Sequence, residues 1–117
     1  MINTVELLYP SIEKLVREIL AVNHAWKVAS ELFGENSSPS RSSRDLKTAL
    51  QVRLLRSYAP DQVHLVLDTE AEGEGLYSLK LREPIDNHLY AEHLPVRVAQ
   101  EVLSTDEIKK FSKLQTK

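Results

Sequence analysis

The sequence contains no cysteine. Disulfide staples, Cys-ligated zinc, iron–sulfur clusters and thiol nucleophiles are therefore excluded together. Glycine occurs only three times, which leaves little material for a phosphate-cradling loop. Neither a Walker A pattern, nor G-x-G-x-x-G, nor G-x-S-x-G is present. No run approaches the roughly 18 consecutive apolar residues of a transmembrane helix, so no membrane association is expected. The start, Met1 to Glu6, lacks the basic region and apolar stretch of a signal peptide. Without cysteine or an export signal, a cytoplasmic location is the expectation.

What is present fits one domain over residues 1–117. The chain is 42% apolar and 27% charged, with a formal net charge of −2, close to the globular average. Residues 11–33 carry the clearest pattern. Ile12, Leu15, Val16, Ile19, Val22, Trp26, Ala29 and Phe33 recur at spacings of three and four, one stripe of a 3.6-period helix. Leu20 and Leu32 widen it. Ser11 suits the N-cap and Gly34 the C-terminal cap. A short turn over residues 4–9 is expected before Pro10. Residues 34–43, half of them serine, offer nothing to a core and read as a flexible surface loop. Residues 44–49 are ambiguous, because Ser43-Arg44-Asp45 can cap a helical turn.

Beyond that loop the period shortens to two. Leu50, Val52 and Leu54, then Val63, Leu65 and Leu67, then Tyr77, Leu79 and Leu81 alternate with polar residues, the mark of half-buried strands. Ala59 to Gln62 and Glu70 to Gly75 supply turns, giving an antiparallel meander, and Leu89, Tyr90 and Leu94 offer a fourth strand. Pro95 opens a helix carrying Val98, Ala99, Val102 and Leu103. Ser104 to Glu107 matches a capping box and opens a last helix with Ile108, Phe111 and Leu114. The fold class is thus α+β: a long N-terminal amphipathic helix packed on a three- to four-stranded antiparallel meander, with one or two short C-terminal helices.

Charge is unevenly spread. Residues 37–58 hold five cations and one acid, residues 59–107 eleven acids and three cations, and residues 108–117 four lysines. Arg41, Arg44, Lys47, Arg53 and Arg56 are the candidates for contacting phosphates. No aromatic interleaves with them, however, and the whole chain is acidic. Their plain alternative is pairing with the acids of the later segment. Asp68, Glu70, Glu72 and Glu74 open like a calcium loop, but the twelfth position is Leu79, which cannot supply the bidentate carboxylate. His24 and His64 are solvent-facing by pattern. His88, Glu92 and His93, with Asp86, form the one cluster of metal or acid–base groups, and its H-x4-H spacing is not a standard zinc pattern. The Ser-rich loop, flanked by Arg41 and Arg44, has the composition of a phosphoacceptor segment.

No enzymatic activity, cofactor or metal is expected. The sequence supports a small non-enzymatic protein that binds another protein and itself, as a regulatory or assembly factor. It has more apolar faces than a chain of this size hides. Leu20, Trp26, Leu32 and Phe33 are the expected contact residues, since aromatic anchors dominate interfaces. The alternative is a nucleic-acid-binding regulator using the basic residues of segment 41–56.

Overall fold

Ser11 accepts a hydrogen bond from the Lys14 amide at 3.2 Å, and helix α1 runs Ile12–Phe33 from there to Gly34. Gly34 adopts φ +93° and its amide closes on the Ser30 carbonyl at 2.9 Å. In the computed structural model, residues 10–68 and 75–112 are described. The expected turn at 4–9 and the calcium-like acids at 70, 72 and 74 lie outside them.

The next segment departs from the sequence expectation. Residues 38–58 form a second long helix, α2 (Ser38–Tyr58), in place of a flexible loop followed by a strand. The serines build its start. Ser37 is the N-cap, accepting from the Ser40 amide at 3.3 Å while its hydroxyl donates to the Gly34 carbonyl at 2.7 Å. Pro39 sits in the first turn, where its missing N–H costs nothing. Ser40 is fully buried and shares a 2.7 Å hydrogen bond with Ser30 on α1. The serine cluster is therefore the corner of an αα-hairpin.

Leu50, Val52 and Leu54 alternate by coincidence. The buried positions of α2 are Ser40, Gln51, Leu54 and Leu55, a helical set in which two polar side chains occupy core sites. Those two hide the 3.6 period from any count of apolar residues. On α1, Leu15, Val16, Ile19 and Ala29 are buried as expected, joined by Asn23. Trp26 is half-buried, and Phe33 at 64% and Leu32 at 69% exposure stand clear of the core. Phe33 follows the core-facing stripe, but it lies at the helix end.

Among the described residues the sheet has three antiparallel strands in the order β1 (Val63–Asp68), β2 (Leu76–Ile85), β3 (His88–Pro95). The segment expected as a fourth strand is β3, so the count holds while the first expected strand is lost to α2. Val63 pairs with Leu81 and Leu65 with Leu79. These four are buried against Leu15, Val16 and Ile19 of α1 and Leu54 and Leu55 of α2. The helical layer on the sheet is thus a two-helix hairpin instead of a single helix. His64, expected to face solvent, is buried at 7% exposure. Desolvation, with help from Lys80, lowers its pKa from the ordinary histidine value.

β2 and β3 meet at a two-residue turn. Asp86 and Asn87 have φ of 51° and 67°, the left-handed pair a primed hairpin turn needs. Arg17 on α1 grips Asp86 through Nε at 2.8 Å and Nη2 at 3.3 Å. Further along, Lys80 pairs with Tyr90 and Ser78 with His93. Ala91 and Glu92 together therefore oppose Leu79, a β-bulge with Glu92 at φ 63°.

Helices α3 (Val96–Val102) and α4 (Thr105–Ser112) close the fold. The capping box is present in both directions: Ser104 Oγ accepts from the Glu107 amide at 3.0 Å, and Glu107 Oε1 from the Ser104 amide at 3.1 Å. Glu107 also receives Arg56 of α2 through two bonds of 2.8 and 3.2 Å. Arg56 and the Ser104 amide hold its pKa down, from 4.5 to about 2. A depressed carboxylate stabilises the fold above its unfolded value, and that contribution disappears as pH falls towards the folded one. Thermal stability is accordingly expected to fall between pH 5 and pH 2, through the window set by Glu107. Glu107→Gln should flatten that part of the profile. An unchanged slope in the variant would show that the ion pair contributes nothing.

Candidate functional site

An open-sided groove of about 990 Å³ lies between α2, α3, the end of β3 and Trp26 of α1. Helical geometry assembles it. Arg44, Lys47, Arg53 and Arg56 all lie along α2, and Arg97 enters from α3. Half-buried Val52 and Val98 rest against the core and also line the groove. Pro95 and Val102 continue the apolar lining. Asp45 and Glu101 are its acids.

Four of the five cations expected to act together are thereby brought together; Arg41, exposed at the start of α2, is outside the groove lining. They differ in what they already hold. Arg56 is spent on Glu107, and its Nη2 reaches the Val102 carbonyl at 3.4 Å. Pairing with the acidic segment thus holds for Arg56, although it joins two helices and not two strands. The Lys47 ammonium sits 5.2 Å from the centre of the Trp26 ring, a cation–π contact. Burial lowers its pKa below the usual lysine value, with Glu92 opposing the shift.

Gln51 fixes the groove's inner wall. Its side chain is fully buried, and Nε2 donates to the carbonyls of Ala91 and His93, each at 3.1 Å. The two carbonyls determine the amide's orientation, since a flip would set oxygen against oxygen. The bulge of β3 is thus clamped to α2. Sequence reading missed Gln51 because a polar residue at a helical core position looks like a strand's outer face.

The histidine cluster is not assembled as a ligand set. His88, Glu92 and His93 lie along β3, and among the described residues no three His, Asp or Glu side chains are placed to hold a metal. His93 Nδ1 is 3.0 Å from Ser78 Oγ. The two are register partners on adjacent strands and both reach solvent, so strand pairing alone produces this contact. His24 is exposed on α1. Leu20 packs partly against the core, whereas Leu32 and Phe33 share the exposed tip of α1.

No described helix is long and apolar enough to cross a membrane. The chain matches no known family model, and no curated protein or solved structure is significantly similar to it. The class defined by fold and site is an α+β domain whose helical hairpin, the end of β3 and helix α3 border an open cationic groove.

Proposed function

We propose that this protein is non-enzymatic and works by binding another protein, as a regulatory or assembly factor. The groove receives that partner, and the Leu32–Phe33 tip of α1 contacts a second copy of the chain. One observation carries the reading: apolar side chains continuous with the core, Val52 and Val98, remain open to the groove between cations. Apolar anchors ringed by polar groups are the anatomy of a protein interface. The exposure of Leu32 and Phe33 supports the self-contact. The absence of nucleophile and phosphate-loop motifs supports placing the protein outside the enzymes.

A nucleic-acid-binding regulator is the second reading, favoured by the convergence of Arg44, Lys47, Arg53 and Arg56 on one surface. Site-specific photocrosslinking in the native cell separates the two. A benzophenone side chain at Val102 should yield a discrete protein adduct, and one at Leu32 an adduct of twice the 13.3 kDa chain mass. The same probe at exposed Lys80 is the control. A nucleic-acid adduct at Val102 would favour the second reading, and no adduct above control would defeat both. No doubled mass from Leu32 would remove the self-contact.

A further inference from the structure

We infer that the groove's occupant is an acidic, amphipathic peptide segment of the partner, with apolar side chains on the Val52–Val98–Val102 surface and carboxylates at Arg44 and Lys47. The inference rests on the protein-binding reading above and names the chemistry of the partner. Charge complementarity is the first argument. Among the described residues five cationic side chains line the groove against two acidic ones. With Arg56 already held by Glu107, the lining still keeps an excess of positive charge, so an anionic segment is attracted and a basic one repelled.

The apolar lining is the second argument. Phosphate-backbone binding needs cations along a track and gains nothing from Val52, Pro95, Val98 and Val102. A helix laid in a groove, by contrast, uses apolar anchors on one face and charge at the rims. Trp26 supplies the third. Single-strand binding draws on aromatic faces for stacking bases, and here the indole is already covered by Lys47 at 5.2 Å. That ammonium is partly desolvated, with Glu92 the acid acting on it. A partner carboxylate beside it would strengthen in the low-dielectric setting. Arg44, exposed on the same helix, provides the second rim contact.

The test uses the full chain and three labelled probes, read by fluorescence anisotropy. They are a Leu/Glu amphipathic peptide of about four helical turns, its Leu/Lys counterpart, and an oligothymidylate of similar length. The acidic peptide should bind, and the basic peptide and oligonucleotide should not. Arg44→Glu with Lys47→Glu should weaken binding at least about tenfold, and Val102→Asp by a similar factor. Arg44→Lys should retain binding. Raising salt from about 0.05 to about 0.5 M should weaken binding without abolishing it, since only the charged part is screened. Far-UV circular dichroism verifies that each variant folds; if the double variant does not, Arg44→Glu alone is read.

Equal affinity of wild type and charge-reversed chains for the acidic peptide would overturn the inference. So would absence of acidic-peptide binding while the Val102 probe still traps a protein, an outcome that leaves the protein-binding reading intact. Oligothymidylate binding that is lost in Arg44→Glu, without peptide binding, would overturn both.

Discussion

Replacing Phe111 with alanine is expected to cost about 3–5 kcal/mol and to detach the C-terminal helix. The ring is 3% exposed and belongs to the core that includes Leu103, Leu55 and Val63. Helix α4 has eight residues, too few to persist without tertiary packing, because helix nucleation costs more than so short a segment returns. Its other tethers are half-buried Ile108, which packs against the same core, and the solvent-accessible Arg56–Glu107 pair, neither of which substitutes for a buried aromatic. A domain of this size has about 5–15 kcal/mol in total, so the loss is a large share. At about 1–3 kcal/mol per molar urea, the unfolding midpoint should fall by about 2 M. Proteolysis should also begin near Thr105. A midpoint shift below about 0.5 M would mean that α4 is dispensable to the core.

The second large effect is expected at Gln51. Gln51→Leu keeps most of the volume but removes both hydrogen bonds to β3. An orphaned buried carbonyl costs about 1–3 kcal/mol, so about 2–6 kcal/mol follows for the two, less the relief of removing the glutamine's own amide oxygen, which is buried without a partner. Gln51→Glu should be worse at neutral pH, since a carboxylate would face two carbonyl oxygens, and should recover as pH falls and the acid regains a donor. That recovery separates a hydrogen-bonding role from a packing role. If leucine were as stable as glutamine, the amide would fill space only. Amide exchange at Glu92 and His93 reports the same event locally, because the bulge they form is held from α2.

Gln51 also marks the limit of sequence reading in this protein. The stripe on residues 12–33, its Ser11 and Gly34 ends and the Ser104–Glu107 capping box are local patterns, each satisfied by residues within one or two turns. The strands at 63–67 and 77–81 are legible because Val63, Leu65, Leu67, Tyr77, Leu79 and Leu81 put apolar residues at every second position, although Leu67 is exposed in the fold. Helix α2 is not, since Ser40 and Gln51 fill buried positions whose bonding partners, Ser30, Ala91 and His93, are distant in sequence. His64 escapes for a related reason: alternation assigns it a face but does not reveal that this face is covered.

The groove divides in the same way. The cationic run from Arg44 to Arg56 is visible in the letters, but only winding it into a helix aligns it with Trp26, Arg97 and Val98. Charge composition, the long first helix, the cap chemistry and the α+β class were determined by sequence alone, because short-range periodicity and backbone hydrogen bonding act between near neighbours. The serine-built hairpin corner, the clamped bulge and the groove were decided by tertiary structure. The first two depend on a buried polar side chain finding partners 10 to 42 residues away along the chain, and the groove depends on the cationic run being wound into a helix beside Trp26 and α3.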